Sequence, residues 1–378
     1  MLDKTMRVLI LGAGITGCTL AFLMKNKGHI VSIKEKEDHI GGLCYTKTSS
    51  NGIKYEPYGG HAFHTKDSRI KEFVLKFSDF NNYKHKKGIF INGILRHFPL
   101  SKKTIREMKD SEQILKELEE LPDVPDLSNF ETYSVSKFGT TLYRLFIYNY
   151  SKKMWGLEPK ELSTEYILNR IELTDSNSQM FEDDFQGLPV NGYTEFLRNM
   201  IQEIPLELNT SEFNESLYDL ILYSGRIDEL LQLKFGNLQY RSLRFDYKDS
   251  DNWENENYGT INLPQHTDYI RKVNFKVMHQ QETDKSWIQY QEPMSFNDGN
   301  LPMYPIYTKR NIKIFDKYLN EACKSDKIIP VGRLGLYKYL EMSQALSLAM
   351  NMIPLIDKWK KLTLKSRYLE IRKLLNNL

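Results

Sequence analysis

The alternation of apolar and polar positions at the start of the chain predicts a strand, a turn, a helix and a second strand. An apolar run covers 7–11, a glycine-rich turn covers 12–17, and an apolar helix begins within 18–24. A further apolar run at 29–33 predicts the second strand. This order of elements is the opening of a βαβ unit.

Beyond residue 100 the pattern becomes helical and later returns to strands. The stretch 101–170 is mostly helical, with one charged helix near 105–120 and a proline-containing linker at 121–127. Aromatic and β-branched residues alternate with polar ones over 235–287, which predicts strands of a separate sheet. A strand-to-helix pattern returns at 327–352, so we expect the first α/β unit to be completed near the end of the chain.

Length and composition bound the class of protein. A chain of 378 residues and 44.5 kDa favours two or three substructures around a shared site. A net charge of +3 gives no reason to expect a nucleic-acid partner. The cysteines Cys18, Cys44 and Cys323 are too few and too scattered for a disulfide framework or a zinc site, so a reducing cytoplasm is expected. No cleavage pattern follows the first apolar stretch, and no other run is long enough to span a bilayer.

The glycine-rich turn has the G-x-G-x-x-G spacing of a dinucleotide-binding fingerprint. Its residues are Gly12, Ala13, Gly14, Ile15, Thr16 and Gly17. The glycines allow a tight turn and let the helix N-terminus approach a pyrophosphate. Glu35 follows the second strand about 20 positions on, where a carboxylate can accept hydrogen bonds from a ribose hydroxyl. A glycine turn without a ligand is the alternative.

A second glycine pair, Gly41 and Gly42, bears on the choice of cofactor. A chain that passes close to a long cofactor can use such a pair, as in FAD enzymes of the amine-oxidase type, whereas a plain NAD dehydrogenase does not need it. An ordinary Gly-Gly turn is the alternative. FAD is therefore the expected cofactor.

Several longer motifs make the sequence resemble the UDP-galactopyranose mutase family. They are 35–42 together with 58–65, YSKKMWG at 150–156, QGLPVNGYT at 186–194, FGNLQYRSLRF at 235–245 and GRLGLYKYLEM at 332–342. The resemblance covers most of residues 6–352. Its Trp155, YRSL and GRLxxYKY elements are more restrictive than the glycine turns, which occur in many flavoproteins.

The resemblance implies an α/β fold with a Rossmann-like FAD-binding domain, a helical insertion and a six-stranded antiparallel substrate sheet. The corresponding division is 1–90, 186–232 and 313–352 for the FAD-binding domain, 91–185 for the helical domain, 233–312 for the sheet and 353–378 for a C-terminal tail. A homodimer and reduction of the flavin by NADH or NADPH are implied as well.

The activity implied by the resemblance is ring isomerisation of a nucleotide sugar without net redox change. In the family's mechanism, N5 of the reduced flavin displaces UDP, and the resulting adduct recloses as the other ring size. The expected substrate is UDP-galactose, for cell-surface polysaccharide synthesis. The alternatives are UDP-N-acetylgalactosamine or a deoxysugar nucleotide, an amine-oxidase-type oxidoreductase, and a catalytically silent FAD-bound scaffold.

The departing diphosphate calls for preorganised cations, and bidentate guanidinium groups suit this task. Arg170 and Arg271 match the family's two diphosphate-clamping arginines, and His61 and His64 match its flavin-side histidines. Without the motif context, the alternative for each arginine is that it forms an ion pair at the protein surface. Two histidines three positions apart also occur in metal sites, but no Cys or carboxylate at suitable spacing completes one here.

The substrate-binding residues follow from the same resemblance. Trp155 matches the uracil-stacking tryptophan, Tyr304 and Tyr339 match phenols that hydrogen-bond the diphosphate, and a core aromatic cluster is the alternative. The substrate candidates are Phe146, Tyr150, Ser151, Trp155, Met180, Asn262, Tyr304, Tyr339 and Glu341. The FAD candidates are Gly12, Ala13, Gly14, Ile15, Thr16, Gly17, Glu35, Lys36, Gly41, Gly42, Leu43, His61, Arg241, Gly332, Arg333, Tyr339 and Met342.

Some positions depart from the family pattern. Met180 stands where bacterial enzymes usually have a tyrosine that contacts the nucleotide, Glu341 replaces an aspartate, and Leu43 takes a position that is commonly asparagine. The segment 98–101 also differs. We expect these changes to affect the choice of sugar or nucleotide and not the binding of flavin.

The tail at 357–378 carries seven Lys or Arg among apolar residues. This pattern predicts a basic amphipathic helix. Packing on the body of the protein or on a partner subunit is the favoured interpretation, and peripheral contact with a membrane surface is the alternative.

Overall fold

The structure is a computed structural model that describes residues 5–164, 173, 180–249, 257–297 and 299–377. The strands are β1 (Arg7–Leu11), β2 (Ile30–Lys34), β3 (Lys47–Thr48), β4 (Lys54–Tyr55), β5 (Phe63–Thr65), β6 (Lys87–Ile91), β7 (Ile94–Phe98), β8 (Phe185–Gly187), β9 (Leu206–Glu207), β10 (Leu220–Tyr223), β11 (Tyr240–Lys248), β12 (Thr260–Asn262), β13 (Arg271–Asn274), β14 (Ile288–Ser295), β15 (Tyr304–Pro305) and β16 (Ile328–Pro330). The α-helices are α1 (Ile15–Asn26), α2 (Ser68–Val74), α3 (Lys102–Arg106), α4 (Ser111–Glu119), α5 (Phe130–Leu142), α6 (Asn149–Trp155), α7 (Gly192–Ile201), α8 (Ile227–Leu230), α9 (Phe275–His279), α10 (Lys309–Ala322), α11 (Gly332–Gly335), α12 (Met342–Lys358) and α13 (Leu364–Asn376). A π-helical turn, Tyr143–Tyr148, joins α5 to α6.

A parallel sheet contains the strands that the opening pattern predicts. Its order is β16, β10, β1, β2 and β9, and all neighbours pair in parallel. Strand β1 is buried over its last four residues, as expected for a central strand covered by helices. The chain order reverses direction at β1, so the carboxyl ends of β1 and β10 open a crevice of the kind that binds ligands in α/β sheets. The predicted Rossmann-like α/β class is confirmed.

The turn between β1 and α1 depends on two glycines. Gly12 has φ +106°, a left-handed conformation that favours glycine. A Cβ on Gly17 would lie 1.9 Å from the carbonyl oxygen of Gly12, so only glycine lets α1 pack this closely against the turn. The helix therefore begins directly at the carboxyl end of the central strand.

The second large sheet has seven strands, not the six expected from the resemblance. Its order is β15, β11, β14, β13, β12, β6 and β7. The pairing of β12 with β6 is parallel, and the other pairings are antiparallel. Strands β6 and β7 add to the sheet edge ahead of the helical segment, and the predicted boundary between 90 and 91 falls inside β6.

The helical segment packs over this mixed sheet through a separate hydrophobic cluster. The single charged helix predicted near 105–120 is instead two short helices, α3 and α4. Ile105 and Ile114 are both fully buried, yet nine positions apart on one helix they would face opposite sides. The break between the helices lets both side chains reach the same core.

The C-terminal tail packs on the chain's own body, as favoured from its sequence. Helix α13 buries Ile371 and Leu375, and the buried Arg367 guanidinium donates to the carbonyl oxygens of Trp359, Cys323 and Ser325. These bonds satisfy a buried cation with backbone acceptors. In the described part of the chain, no helix has the length and apolar character needed to cross a membrane.

Candidate functional site

A cleft of about 870 Å³ opens where the crevice of the parallel sheet meets the mixed sheet and the helical segment. Most residues predicted from the sequence line it. They are Gly12, Gly14, Ile15, Thr16, Gly17, Glu35, Lys36, Gly41, Gly42, Leu43, His61, His64, Phe146, Tyr150, Ser151, Trp155, Met180, Asn262, Arg271, Tyr304, Gly332, Arg333, Tyr339, Glu341 and Met342. Residues far apart in sequence therefore meet around one concave site.

The end of the cleft at the parallel sheet is built from two facing glycine turns. Gly14 and Gly41 form a parallel bridge, and a Cβ on Gly14 would meet only the Gly42 Cα, at 4.0 Å. The space in front of α1 is therefore open to a ligand, and the helix N-terminus favours negative charge there. A dinucleotide pyrophosphate fits this arrangement in size and charge.

Glu35 is held in place at the same end of the cleft. Its Oε2 accepts from the backbone N–H of Ala13 at 2.6 Å, and its Oε1 accepts from that of Glu37 at 3.0 Å. The carboxylate is buried and oriented by the fingerprint itself. Ala13 does not line the cleft, because its side chain is fully buried; it contributes its amide to Glu35 instead.

Arginine and tyrosine side chains meet at the middle of the cleft. The rings of Tyr304 and Tyr339 lie parallel, with centroids 6.0 Å apart, and the Arg333 guanidinium lies 4.5 Å from the Tyr339 centroid. Arg333 also donates to two backbone carbonyls, those of residues 303 and 340. Its position is thus fixed before any ligand arrives.

Arg271 has donor capacity left for a ligand. Its Nη2 donates to the hydroxyl of Tyr150 at 2.7 Å, while its buried Nε has no hydrogen-bond partner within the described part of the chain. Asn262, its partner across the β12–β13 pair, likewise leaves its buried Oδ1 unpartnered among those residues. Buried polar atoms without partners are rare in native proteins, so this pair points to a polar ligand. Arg170 lies outside the described residues.

The far end of the cleft is aromatic. Phe146 lies on the π-helical turn and Tyr150, Ser151 and Trp155 lie on α6, all lining the cleft. Trp155 is 6% exposed and meets Tyr304 edge to face at 6.5 Å. A buried aromatic ring at a cleft wall offers a flat apolar platform for a nucleobase.

The two histidines of the site have different environments. Burial lowers the pKa of His61 to about 4, so this imidazole is neutral at pH 7. Burial also acts to lower the pKa of His64, but its hydrogen bonds with Glu341, at 3.3 Å, and with Asp183 outweigh that effect and raise the pKa. The ring of His64 also stacks on Phe181 with centroids 3.6 Å apart.

Asp183 and Phe181 were not predicted from the sequence. They precede β8, which pairs with β5 and brings them to His64 across more than a hundred positions. No local spacing links His64 to either residue, so no signal in the sequence pattern would have found them.

For Arg241, predicted to contact the cofactor, the structure shows contacts with the protein itself. Arg241 does not line the cleft. Its guanidinium donates to the carbonyl oxygens of Lys153 and Met154 at the end of α6 and to Ser295 Oγ. A Cβ on Gly156 would lie 2.8 Å from Arg241 Nη1, so the two positions are packed together. Arg241 therefore supports α6, which we call the aromatic helix because its Tyr150 and Trp155 line the cleft.

Comparisons with known proteins agree with this site. The family described as UDP-galactopyranose mutase matches residues 145–339, and an NAD(P)-binding Rossmann-like domain matches residues 10–77. A UDP-galactopyranose mutase from Mycoplasma genitalium is 32% identical and covers 91% of this chain and 93% of its own length. A dTDP-fucopyranose mutase from Escherichia coli is 29% identical, covering 94% and 99%.

The similarity to a solved mutase structure extends over nearly the whole chain, whereas the similarity to an oxidase covers only part of it. The crystal structure of a reduced UDP-galactopyranose mutase has the same fold, with a TM-score of 0.81 at 15% identity and 98% coverage of both chains. An L-amino-acid oxidase from Crotalus adamanteus is 27% identical over only 29% of this chain and 20% of its own length. The family match includes the aromatic helix and Arg271, and the chain belongs to the UDP-galactopyranose mutase family of isomerases.

Proposed function

We propose that the protein interconverts the pyranose and furanose forms of UDP-galactose. The main support for this activity is that Arg271 lies against the aromatic helix α6, in the same cleft as two glycine turns that leave room for a dinucleotide. We also propose that it works in the cytoplasm as a homodimer, in cell-surface polysaccharide synthesis, with NADH or NADPH as reductant.

FAD fits the end of the cleft formed by the glycine turns. The turns at Gly14 and Gly42 would hold its pyrophosphate, and Glu35 would accept from a ribose hydroxyl. Reduced FAD supplies a nucleophile for the anomeric carbon of the sugar. Two further proposed contacts with FAD are Met342 and the neutral, partly buried His61, whose Nδ1 is unpartnered among the described residues.

The residues of the chain have separate tasks in this proposal. Trp155 stacks on the uracil and so places the diphosphate near Arg271. Arg271, with Arg170 as its proposed partner, stabilises the charge that develops as UDP departs. Tyr304 and Tyr339 donate hydrogen bonds to the diphosphate. Because the site is concave and largely apolar around these groups, their electrostatic effects are stronger than in water.

A dTDP-deoxysugar is the second candidate substrate. A relative that covers nearly all of this chain is a dTDP-fucopyranose mutase, and Met180, which stands where the family's bacterial enzymes usually have a tyrosine, lines the cleft. An oxidase is disfavoured, because the oxidase relative matches under a third of the chain.

The test of the proposal compares turnover by the reduced and the oxidised enzyme and measures whether NAD(P)H or oxygen is consumed. Under anaerobic conditions, reduced FAD-loaded enzyme is expected to interconvert UDP-galactopyranose and its furanose form without stoichiometric use of NAD(P)H, and oxidised enzyme is expected to be nearly inert. Products are separated by chromatography, and a parallel panel includes UDP-N-acetylgalactosamine and dTDP-deoxysugars. Equal turnover by oxidised enzyme, or one equivalent of oxygen consumed per product, would reject the isomerase proposal.

Trp155→Ala is expected to weaken UDP binding by roughly 1–3 kcal/mol, the scale of base stacking on an aromatic side chain. Trp155→Phe keeps a ring and should lose less. Binding is measured by calorimetry on FAD-loaded protein, with the flavin spectrum as the control for folding. Unchanged UDP affinity in the alanine variant would assign Trp155 to the hydrophobic core.

A further inference from the structure

Lys153 makes an unusual set of contacts for a lysine on a short helix. It lies on α6 between Ser151 and Trp155 and is half-buried. Its ammonium donates to three backbone carbonyl oxygens, those of Leu263 at 3.0 Å, His266 at 2.5 Å and Tyr269 at 2.9 Å. All three N–H donors of the ammonium are therefore used by one short stretch of backbone.

The three carbonyls belong to the turn at 263–270, which connects β12 to β13. The last strand pair before this turn is Asn262 opposite Arg271, and both residues line the cleft. The turn thus controls where these two side chains point. Because the three carbonyls converge on one point, a single ammonium joins them through charge-assisted hydrogen bonds, which a neutral apolar side chain cannot make.

Helix α6 makes further hydrogen bonds to the mixed sheet. Arg241 holds the carbonyls of residues 153 and 154 against the mixed sheet, and Arg271 Nη2 reaches Tyr150 on the same helix. The aromatic helix is thus bonded to β11 and β13, and Lys153 joins it to the turn between β12 and β13.

We propose that Lys153 is a positioning residue for the isomerisation, which rests on the function proposed above. Its ammonium fixes the 263–270 turn to the aromatic helix and thereby sets the Arg271 guanidinium at the right separation from Trp155 to hold a uridine diphosphate. Lys153 acts through Arg271 and does not touch the substrate.

The test is a double-mutant cycle with UDP as the probe on FAD-loaded enzyme. Lys153→Met keeps the length of the side chain and removes all three bonds, so UDP affinity should fall roughly tenfold, the scale of losing a hydrogen bond from a charged donor. In the Arg271→Ala background the same change should cost less than about twofold, because the residue it positions is gone. Lys153→Arg retains the charge and several donors and should restore most of the affinity.

The matched control is Lys152→Met, which removes a neighbouring, exposed lysine of the same helix whose ammonium pairs with Glu158. It should leave UDP affinity and the flavin spectrum unchanged. If Lys153→Met does not fold with FAD, Lys153→Gln, with two N–H donors for three carbonyls, is measured in the same cycle.

Each outcome has one meaning. A fall in affinity that disappears without Arg271 supports the proposal, and an unchanged affinity, or an equal fall with and without Arg271, overturns it. Wild-type enzyme that does not bind UDP would reject the proposed function itself, and this inference with it.

Discussion

Arg271→Ala is expected to reduce turnover of the UDP-sugar by at least about a hundredfold, the usual cost of removing a group that stabilises developing charge. The guanidinium is bonded to Tyr150 on one side and leaves its buried Nε for a ligand. Its loss leaves the negative charge of departing UDP without a fixed counter-charge. Steady-state rates with reduced enzyme measure the effect.

Two variants give this prediction its controls. Arg271→Lys keeps the charge but loses the bidentate fork, and should fall between wild type and alanine. Arg244→Ala removes an exposed arginine of the same sheet that pairs with Asp246 and Glu292, and should leave the rate unchanged. The flavin spectrum should be the same in all variants. A loss below roughly tenfold in the alanine variant would mean that the diphosphate is clamped elsewhere.

The parts of the fold that follow from local pattern were predicted from the sequence. Strand β1, the glycine turn and α1 lie within 20 consecutive residues, and the helix starts where Gly17 allows close packing. The bond from Ala13 to Glu35 closes this unit over a short separation. Short loops leave few alternative arrangements of the elements they connect, so the spacing of residues along the chain determines most of the geometry of this unit.

Long-range pairing was not predictable in this way. Strands β6 and β7 join the mixed sheet because β6 pairs with β12, about 170 positions later along the chain. The contact of His64 with Asp183 spans 119 positions, and the support that Arg241 gives to α6 depends on how two separate elements dock. Period and propensity describe one element at a time and contain no information on such docking.

The grouping of Trp155 with Arg271 came from resemblance and not from pattern. The two residues lie on a helix and a strand whose separation in sequence says nothing of their distance in space. Their common cleft is a finding of the structure. Their separate roles in binding uracil and diphosphate remain predictions, which the variants above test.

Gly14→Val is expected to abolish FAD binding and to yield a folded, colourless protein. The backbone of Gly14, at φ −78° and ψ −177°, is extended and accepts valine without strain. A Cβ there meets no atom closer than the Gly42 Cα at 4.0 Å, so the new side chain would begin in the open space in front of α1 that we assign to the ligand. Gly12 offers no such test, because at φ +106° any other residue would strain the turn itself.

The measurement is flavin absorbance after purification and again after incubation with excess FAD, with circular dichroism to establish that the variant is folded. The matched control is Asn26→Val, which adds the same β-branched residue to the exposed far end of α1, at a position that does not line the cleft. It should stay yellow, since it leaves the turn and the helix N-terminus intact. A Gly14→Val protein that still holds one FAD per chain would place the pyrophosphate away from the glycine turn and remove the basis for the FAD contacts proposed for Gly42 and Glu35.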